Sequence, residues 1–377
     1  MVRIAISPAL IPMMKEFNLT HAQAGILATA FFYAYTIMQL PAGHIGDRVG
    51  KKKILALGSF IWSLMAFLTS LATSFYQVFV LRLITGLGEG TYFGNDRPVI
   101  AAFTPKDKMG KGQGISFTGL GIGMGTGILL GGLIAQQFGW RSVFLAFSIP
   151  SLLAFLLIMK YIREPEVGST HVSFKAPFKS KDLWLLNIGG IAVIYALWVI
   201  GTWAPKMFLE IGVESLGKSS VFASLFGFAA IPGLFTSGYI SDRFIKYGRK
   251  FLIALYFFLL AIVMFLTGKA MGSGNVAVLS LLVFVDGFFV WGIWAPIYAL
   301  VSDVTPKKVL GTTFGFVNFV MFFGSLIAPW LTGWVRDLTG SFTWGCYLAA
   351  IVLLVGMILI LLIRPAFQFK PETPIEV

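Results

Sequence analysis

The sequence predicts an all-α polytopic membrane protein. Three observations carry that prediction: the composition, the spacing of apolar runs, and the placement of basic residues between them. Of 377 residues, 57% are hydrophobic and only 12% charged, against roughly 25% charged in ordinary soluble domains. A soluble chain this apolar would expose large adhesive patches, so the bilayer is its natural solvent. The 37 Phe, 42 Gly and 10 Trp suit lipid-facing aromatics and close helix packing through small residues.

A spanning helix needs roughly 20 apolar residues. Runs of that kind lie at about 22–43, 53–73, 75–98, 112–136, 142–162, 183–205, 219–240, 251–270, 276–301, 311–333 and 344–363. Before them, Ile4–Met14 is apolar over only about half a span. Met1 therefore stands inside what reads as a helix, and the expectation is a truncated first helix whose N-terminal piece is missing.

The net charge of +13 invites a nucleic-acid reading, but the cations come in short bursts between apolar runs. About twenty of the 29 Lys and Arg fall around 47–53, 104–111, 160–182, 241–250 and 302–310, and in the tail after 363. The alternate loops hold only a few: Lys15, Arg141, Lys206, Lys218 and Arg336. Lys and Arg resist translocation, so the rich side is cytoplasmic. Nucleic acid is not an expected partner. The lone Cys346 excludes an internal disulfide and a cysteine-rich metal site. No cleavable signal pattern is visible at the N-terminus. The compartment reads as a prokaryotic plasma membrane, crossed many times.

The longest polar interruption, Arg163–Asp182, divides the chain into an N-terminal bundle (1–162), a cytoplasmic linker (163–182), a C-terminal bundle (183–363) and a cytoplasmic tail (364–377). An internal repeat supports the division. Gly43-His-Ile-Gly-Asp47-Arg48-Val-Gly50-Lys51-Lys52 recurs as Gly238-Tyr-Ile-Ser-Asp242-Arg243, followed by Gly248-Arg249-Lys250. Each copy follows the second helix of its half. Duplication of this kind builds many secondary transporters, with the substrate site between the halves near the midplane.

The loop G-x-x-x-D-R-x-G-K-K at Gly43–Lys52 resembles the cytoplasmic signature of the major facilitator superfamily, and the half-match at Gly238–Lys250 sits where its second copy belongs. Arg82-Leu-Ile-Thr-Gly86-Leu-Gly88 resembles that superfamily's fourth-helix motif. The resemblance implies the major facilitator fold, two six-helix bundles working by alternating access, and a monomer. It also implies an interdomain latch made by Asp47, Arg48, Asp242 and Arg243. Positive-inside anchoring alone would account for the lysines, but not for an Asp among cations with glycines at fixed spacing.

A finer resemblance is to the organic-anion (anion:cation) symporters. Arg3, Thr20, Pro41, Gly43 and Asp47 fall in that branch's register. So do Arg82-Leu-Ile-Thr-Gly-Leu-Gly-Glu89 in the fourth helix and Gly315-Phe-Val-Asn318 in the eleventh. One departure is Val2, where the branch often carries an acid that takes part in coupling. Another is the absence of Gly-Pro in the fifth helix, which counts against the superfamily's drug antiporters.

Charges within hydrocarbon cost at least about 2.5 kcal/mol each, so each needs a reason. Arg82, Glu89 and Asp96 are seven apart, close to two turns, and predict one stripe facing the bundle interior. Arg82 reads equally as a structural ion-pair partner and as part of an anion site. Burial favours a neutral carboxyl and a nearby cation favours a charged one, so Glu89 could take or release a proton on a modest rearrangement. Arg3 is the candidate substrate anchor, because a planar guanidinium fork matches a carboxylate bidentately. Tyr35 and Asn318 are placed by the branch register to hydrogen-bond the same anion, and both types also serve as ordinary interhelical bonds. Asp286 is either a second proton site or a carboxyl paired across the bundle. His21 reads as a loop histidine, and Trp198, Trp203, Trp291 and Trp294 as packing or interface aromatics.

The resulting expectation is a secondary active transporter, not an enzyme: proton-coupled symport of a small organic anion such as a sugar acid. The anion is held by Arg3, Tyr35, Arg82 and Asn318, and the proton by Glu89 and Asp286. No cofactor or metal is expected, since the chain has no zinc spacing, nucleophile elbow or nucleotide loop. The rivals are an efflux antiporter for lipophilic drugs or metabolites, and a non-transporting membrane sensor.

Overall fold

The computed structural model describes residues 1–104, 109–164, 177–243, 248–305 and 310–364. The first half contains α1 (Ile6–Glu16), α2 (His21–Val49), α3 (Lys51–Thr69), α4 (Phe75–Gly90), α5 (Phe93–Phe103), α6 (Met109–Phe138) and α7 (Trp140–Tyr161). After a 3-10 turn at Pro177–Lys179, the second half contains α8 (Lys181–Glu210), α9 (Leu216–Phe228), α10 (Ala230–Arg243), α11 (Arg249–Ser273) and α12 (Val276–Gly292). It continues with α13 (Trp294–Val304), α14 (Leu310–Met321), α15 (Phe323–Thr339) and α16 (Thr343–Leu361). Every predicted span is helical. Among the described residues, 10 helices are long and apolar enough to cross a membrane.

Local chemistry explains where helices start. Thr20 accepts from the Gln23 amide while Gln23 accepts from the Thr20 amide, a capping box that opens α2. The loop Thr of the branch register is thus a helix cap. The side chains of Ser74, Ser180, Ser215 and Asn275 cap α4, α8, α9 and α12, each accepting from the amide three residues on. Four crossings are two helices end to end: α4–α5, α9–α10, α12–α13 and α14–α15. The fourth span is therefore not the uninterrupted helix the stripe reading assumed. It breaks at Thr91–Tyr92, and Asp96 falls in the second piece, paired with its neighbour Arg97 at 3.4 Å.

Helices approach through glycine. A Cβ on Gly86 would lie 2.1 Å from the Phe31 carbonyl oxygen, and one on Gly90 would lie 2.8 Å from that of Tyr35. Spaced one turn apart, these residues let α4 ride on the backbone of α2. Between the halves, Gly227 meets the Gly125 backbone, joining α9 to α6. At the outer ends, Gly25 abuts Pro329 and Gly333 abuts His21, joining α2 to α15. Outward from these seams, α7 and α16 present exposed Leu152, Leu153, Leu156, Ile351, Leu354 and Ile358, the faces a bilayer would cover.

On the side rich in cations, ties run within each half. Glu164 accepts from the amides of Lys51 and Lys52, the latter at 3.1 Å, at the start of α3. Asp182 holds Arg364 through its amide and guanidinium at 2.7–3.0 Å. Of the expected latch, Arg48 is exposed at the end of α2, and the side chains of Asp47, Asp242 and Arg243 lie outside the described residues.

Candidate functional site

Arg3 precedes α1, and its guanidinium reaches Glu89 near the end of α4. Both Nε, at 2.8 Å, and Nη2 donate to Oε1, so one carboxylate oxygen carries the whole contact. Among the described residues, the other oxygen accepts no hydrogen bond. Each side chain is 20% accessible, so the pair is neither sealed nor fully solvated.

Arg82 lies two turns before Glu89 and is only 1% exposed. Its Nη2 faces the Arg3 carbonyl oxygen at 3.5 Å, while Nε and Nη1 have no hydrogen-bond partner. A buried guanidinium with two idle donor positions is costly unless something anionic completes it. The aromatic face of Phe31 lies beside it, 5.1 Å from centroid to guanidinium carbon. The two arginines and Glu89 therefore form one charged cluster in the first half. The sequence spacing placed Arg82 and Glu89 together, but nothing in it placed Phe31.

Tyr35, one turn after Phe31, lies beneath Arg3 with 4.5 Å between ring centroid and guanidinium carbon. Its ring also touches Phe322 of the second half, at 5.1 Å between centroids. The site thus reaches across the interface between halves through an aromatic contact. Asn318 sits in α14, fully buried. Its Oδ1 accepts from the Tyr298 hydroxyl at 2.9 Å, and its Nδ2 has no partner. Tyr298 was not singled out from the sequence; an aromatic in an aromatic-rich helix gives no signal until the fold sets it against Asn318.

Asp286 is not brought to this cluster. It is buried inside the second half, accepting from Thr267 of α11 at 2.8 Å, with its other oxygen unpartnered. Trp203 donates to the Pro329 carbonyl at 3.0 Å, and Trp198 packs on Phe32 at 4.4 Å, as packing aromatics should.

His21 needs correction: it is the first residue of α2, not a loop histidine. Its ring Nδ1 lies 2.7 Å from Asp337 Oδ1, and the amides of His21 and Ala22 donate to the same carboxylate at 3.1 and 2.8 Å. One half's carboxylate thereby caps the other half's helix at the outer end. Nearby, Arg141 grips Glu16 with two bonds of 2.9 and 2.6 Å, and Trp140 adds a third. The Arg141 bonds hold that carboxyl below its ordinary range. No group of His, Cys, Asp and Glu among the described residues is arranged to hold a metal.

Known proteins resemble the chain over its whole length. It is 26% identical to a hexuronate transporter of Bacillus subtilis, covering 99% of this chain and 93% of the relative. It is 27% identical to a probable sulfoacetate transporter of Cupriavidus necator, covering 96% and 90%. A probable galactarate/D-glucarate transporter of Bacillus subtilis is also 27% identical, over 88% and 81%. Among solved structures, a D-xylose–proton symporter superposes with a TM-score of 0.78 at 19% identity, covering 98% and 95%. A bacterial homologue of the lysosomal transporter Spinster, inward-facing and occupied, reaches 0.78 at 16% identity over 99% and 96%. These two show the fold alone. The profile of the Major Facilitator Superfamily matches residues 1–273 and 245–377, overlapping matches that leave no part of the chain outside. Paired loop motifs, two bundles of broken and glycine-seamed helices, and this end-to-end match together make the chain a membrane carrier, not an enzyme, and a member of the Major Facilitator Superfamily.

Proposed function

We propose that the protein is a proton-coupled symporter of a small organic anion, of the sugar-acid class, in a prokaryotic plasma membrane. The observation that carries this reading is the Arg3–Glu89 pair beside the incompletely bonded Arg82. Two guanidinium groups favour a carboxylate guest, and one of them is already occupied by an internal carboxylate. An incoming anion competes with Glu89 for Arg3. Once released, Glu89 loses its cation and gains a proton more readily, so anion and proton load together. The Glu89 oxygen that accepts no bond is the natural seat for that proton.

Tyr35 and Asn318 line the same reading from the two halves, with the unpartnered Asn318 Nδ2 as the donor toward the substrate. Asp286 is the second carboxyl assigned to protons. Loading of the central cluster then permits one bundle to rock against the other in a monomer, with Asp47, Arg48, Asp242 and Arg243 as the cytoplasmic latch. Relatives named for hexuronate, galactarate/D-glucarate and L-galactonate support the substrate class.

The test is uptake of a panel of labelled organic acids into proteoliposomes, with and without an inward proton gradient. Gradient-driven accumulation of a carboxylate supports the reading. Failure across the panel, alongside extrusion of lipophilic dyes, would favour efflux instead.

A further inference from the structure

Phe31 sits where two cations meet. The guanidinium carbons of Arg3 and Arg82 lie 5.3 and 5.1 Å from its ring centroid, and the ring itself is wholly buried. Like charges in a low-dielectric interior repel, and only Arg3 has a carboxylate in direct contact. An aromatic face attracts a cation through its quadrupole, most strongly when both are desolvated. Beside the long bond from Nη2 to the Arg3 carbonyl, Phe31 thus supplies a further contact that offsets burial of Arg82, whose Nε and Nη1 bond to nothing among the described residues.

The ring has little freedom to leave. Its backbone is pressed against Gly86, one turn after Arg82 on the same helix. Tyr35 stacks on it at 5.4 Å with 22° between planes, and Phe32 meets it edge-on at 5.1 Å. Together, Phe31 and Tyr35 form a π shelf carrying Arg3 on both rings and Arg82 on one.

We propose that Phe31 is a positioning residue for anion recognition, its ring face holding the Arg3 and Arg82 guanidinium groups side by side so that one organic anion can address both. The proposal rests on the anion-symport reading for what the cluster binds. It adds that the aromatic face, rather than the apolar bulk, is what the site requires.

The test replaces Phe31 in the full chain with 4-fluoro-, 3,5-difluoro- and 3,4,5-trifluorophenylalanine, which drains the ring face of electron density at nearly constant shape. Labelled glucuronate is the transport probe. KM should rise stepwise to roughly tenfold at three fluorines, or 1.4 kcal/mol, with the maximal rate little changed. Phe31→Leu should behave like the trifluoro form. Melting temperature provides a readout that needs no substrate. It should fall with each fluorine in the wild type and less steeply in an Arg82→Met background, where Arg3 alone remains on the ring. A flat response to fluorination in both KM and melting temperature would overturn the proposal, leaving Phe31 a packing residue. Should the wild type refuse glucuronate, the sugar-acid reading alone is struck, because the melting-temperature comparison still decides what Phe31 does.

Discussion

Glu89→Gln separates binding from coupling. The substitution keeps size and an acceptor oxygen but removes the charge that holds Arg3. At about 4 Å and an effective dielectric near 20, a unit pair attracts by about 4 kcal/mol. Net of what water would supply, a charge-assisted hydrogen bond retains about 1.5–3 kcal/mol. The contact here runs through a single oxygen, with both side chains 20% accessible, which puts it toward the lower part of that range. An anion that must displace Glu89 bears this cost, and one that meets Gln does not. Roughly 10- to 40-fold tighter anion binding is therefore expected in the variant. With no carboxyl to protonate, binding should lose its dependence on pH, and a proton gradient should no longer drive accumulation. Counterflow exchange of labelled for unlabelled substrate should persist, since it needs only the anion site and the rocking motion. Uptake and counterflow in the same proteoliposomes decide the matter. Loss of both together, or undiminished gradient-driven uptake, would refute the reasoning.

Four other outcomes are expected. Asp286→Asn preserves shape and an acceptor for Thr267, and should retain exchange while altering the pH profile of uptake; an unchanged profile removes Asp286 from the proton path. Gly86→Ala sets a methyl against the Phe31 backbone, which cannot yield as a flexible side chain would. It should cost about 1–3 kcal/mol in thermal unfolding, whereas Gly119→Ala meets nothing within 4 Å and should be neutral or stabilising. Asp337→Asn weakens the outer clasp on α2 and should move the population toward outward-open by roughly fivefold, about 1 kcal/mol for a partly exposed charged bond. Spin-label distances between the outer ends of α2 and α15 would report it, and an unaltered distribution would count against the clasp. Glu16→Gln should lower the melting temperature by a few degrees at neutral pH. Because the folded Glu16 carboxyl is depressed by Arg141, its contribution is complete above the ordinary value of 4.5 and fades as pH falls through the folded one. Wild type and variant should therefore converge in acid; a gap that persists there would contradict the assignment.

Much of this protein is determined by the sequence alone. Spans and the two-bundle plan follow from apolar length and the repeated loop motif, which are one-dimensional properties of the chain. Arg82 and Glu89 also emerge from sequence, because seven residues are nearly two turns whatever the helix packs against. The departures have physical causes. The fourth span is two helices and not one because α4 ends at Gly90, and periodicity cannot see a break that costs no polar residue. His21 gained Asp337, more than 300 positions away, only when glycine seams brought α2 against α15. Phe31, one of 37 phenylalanines, is indistinguishable from packing until the fold lays two guanidinium groups on its ring. Composition and period reveal which residues must leave water. Which buried charge meets which ring, carboxylate or helix end is decided by helices meeting across the bundle, where sequence distance carries no information.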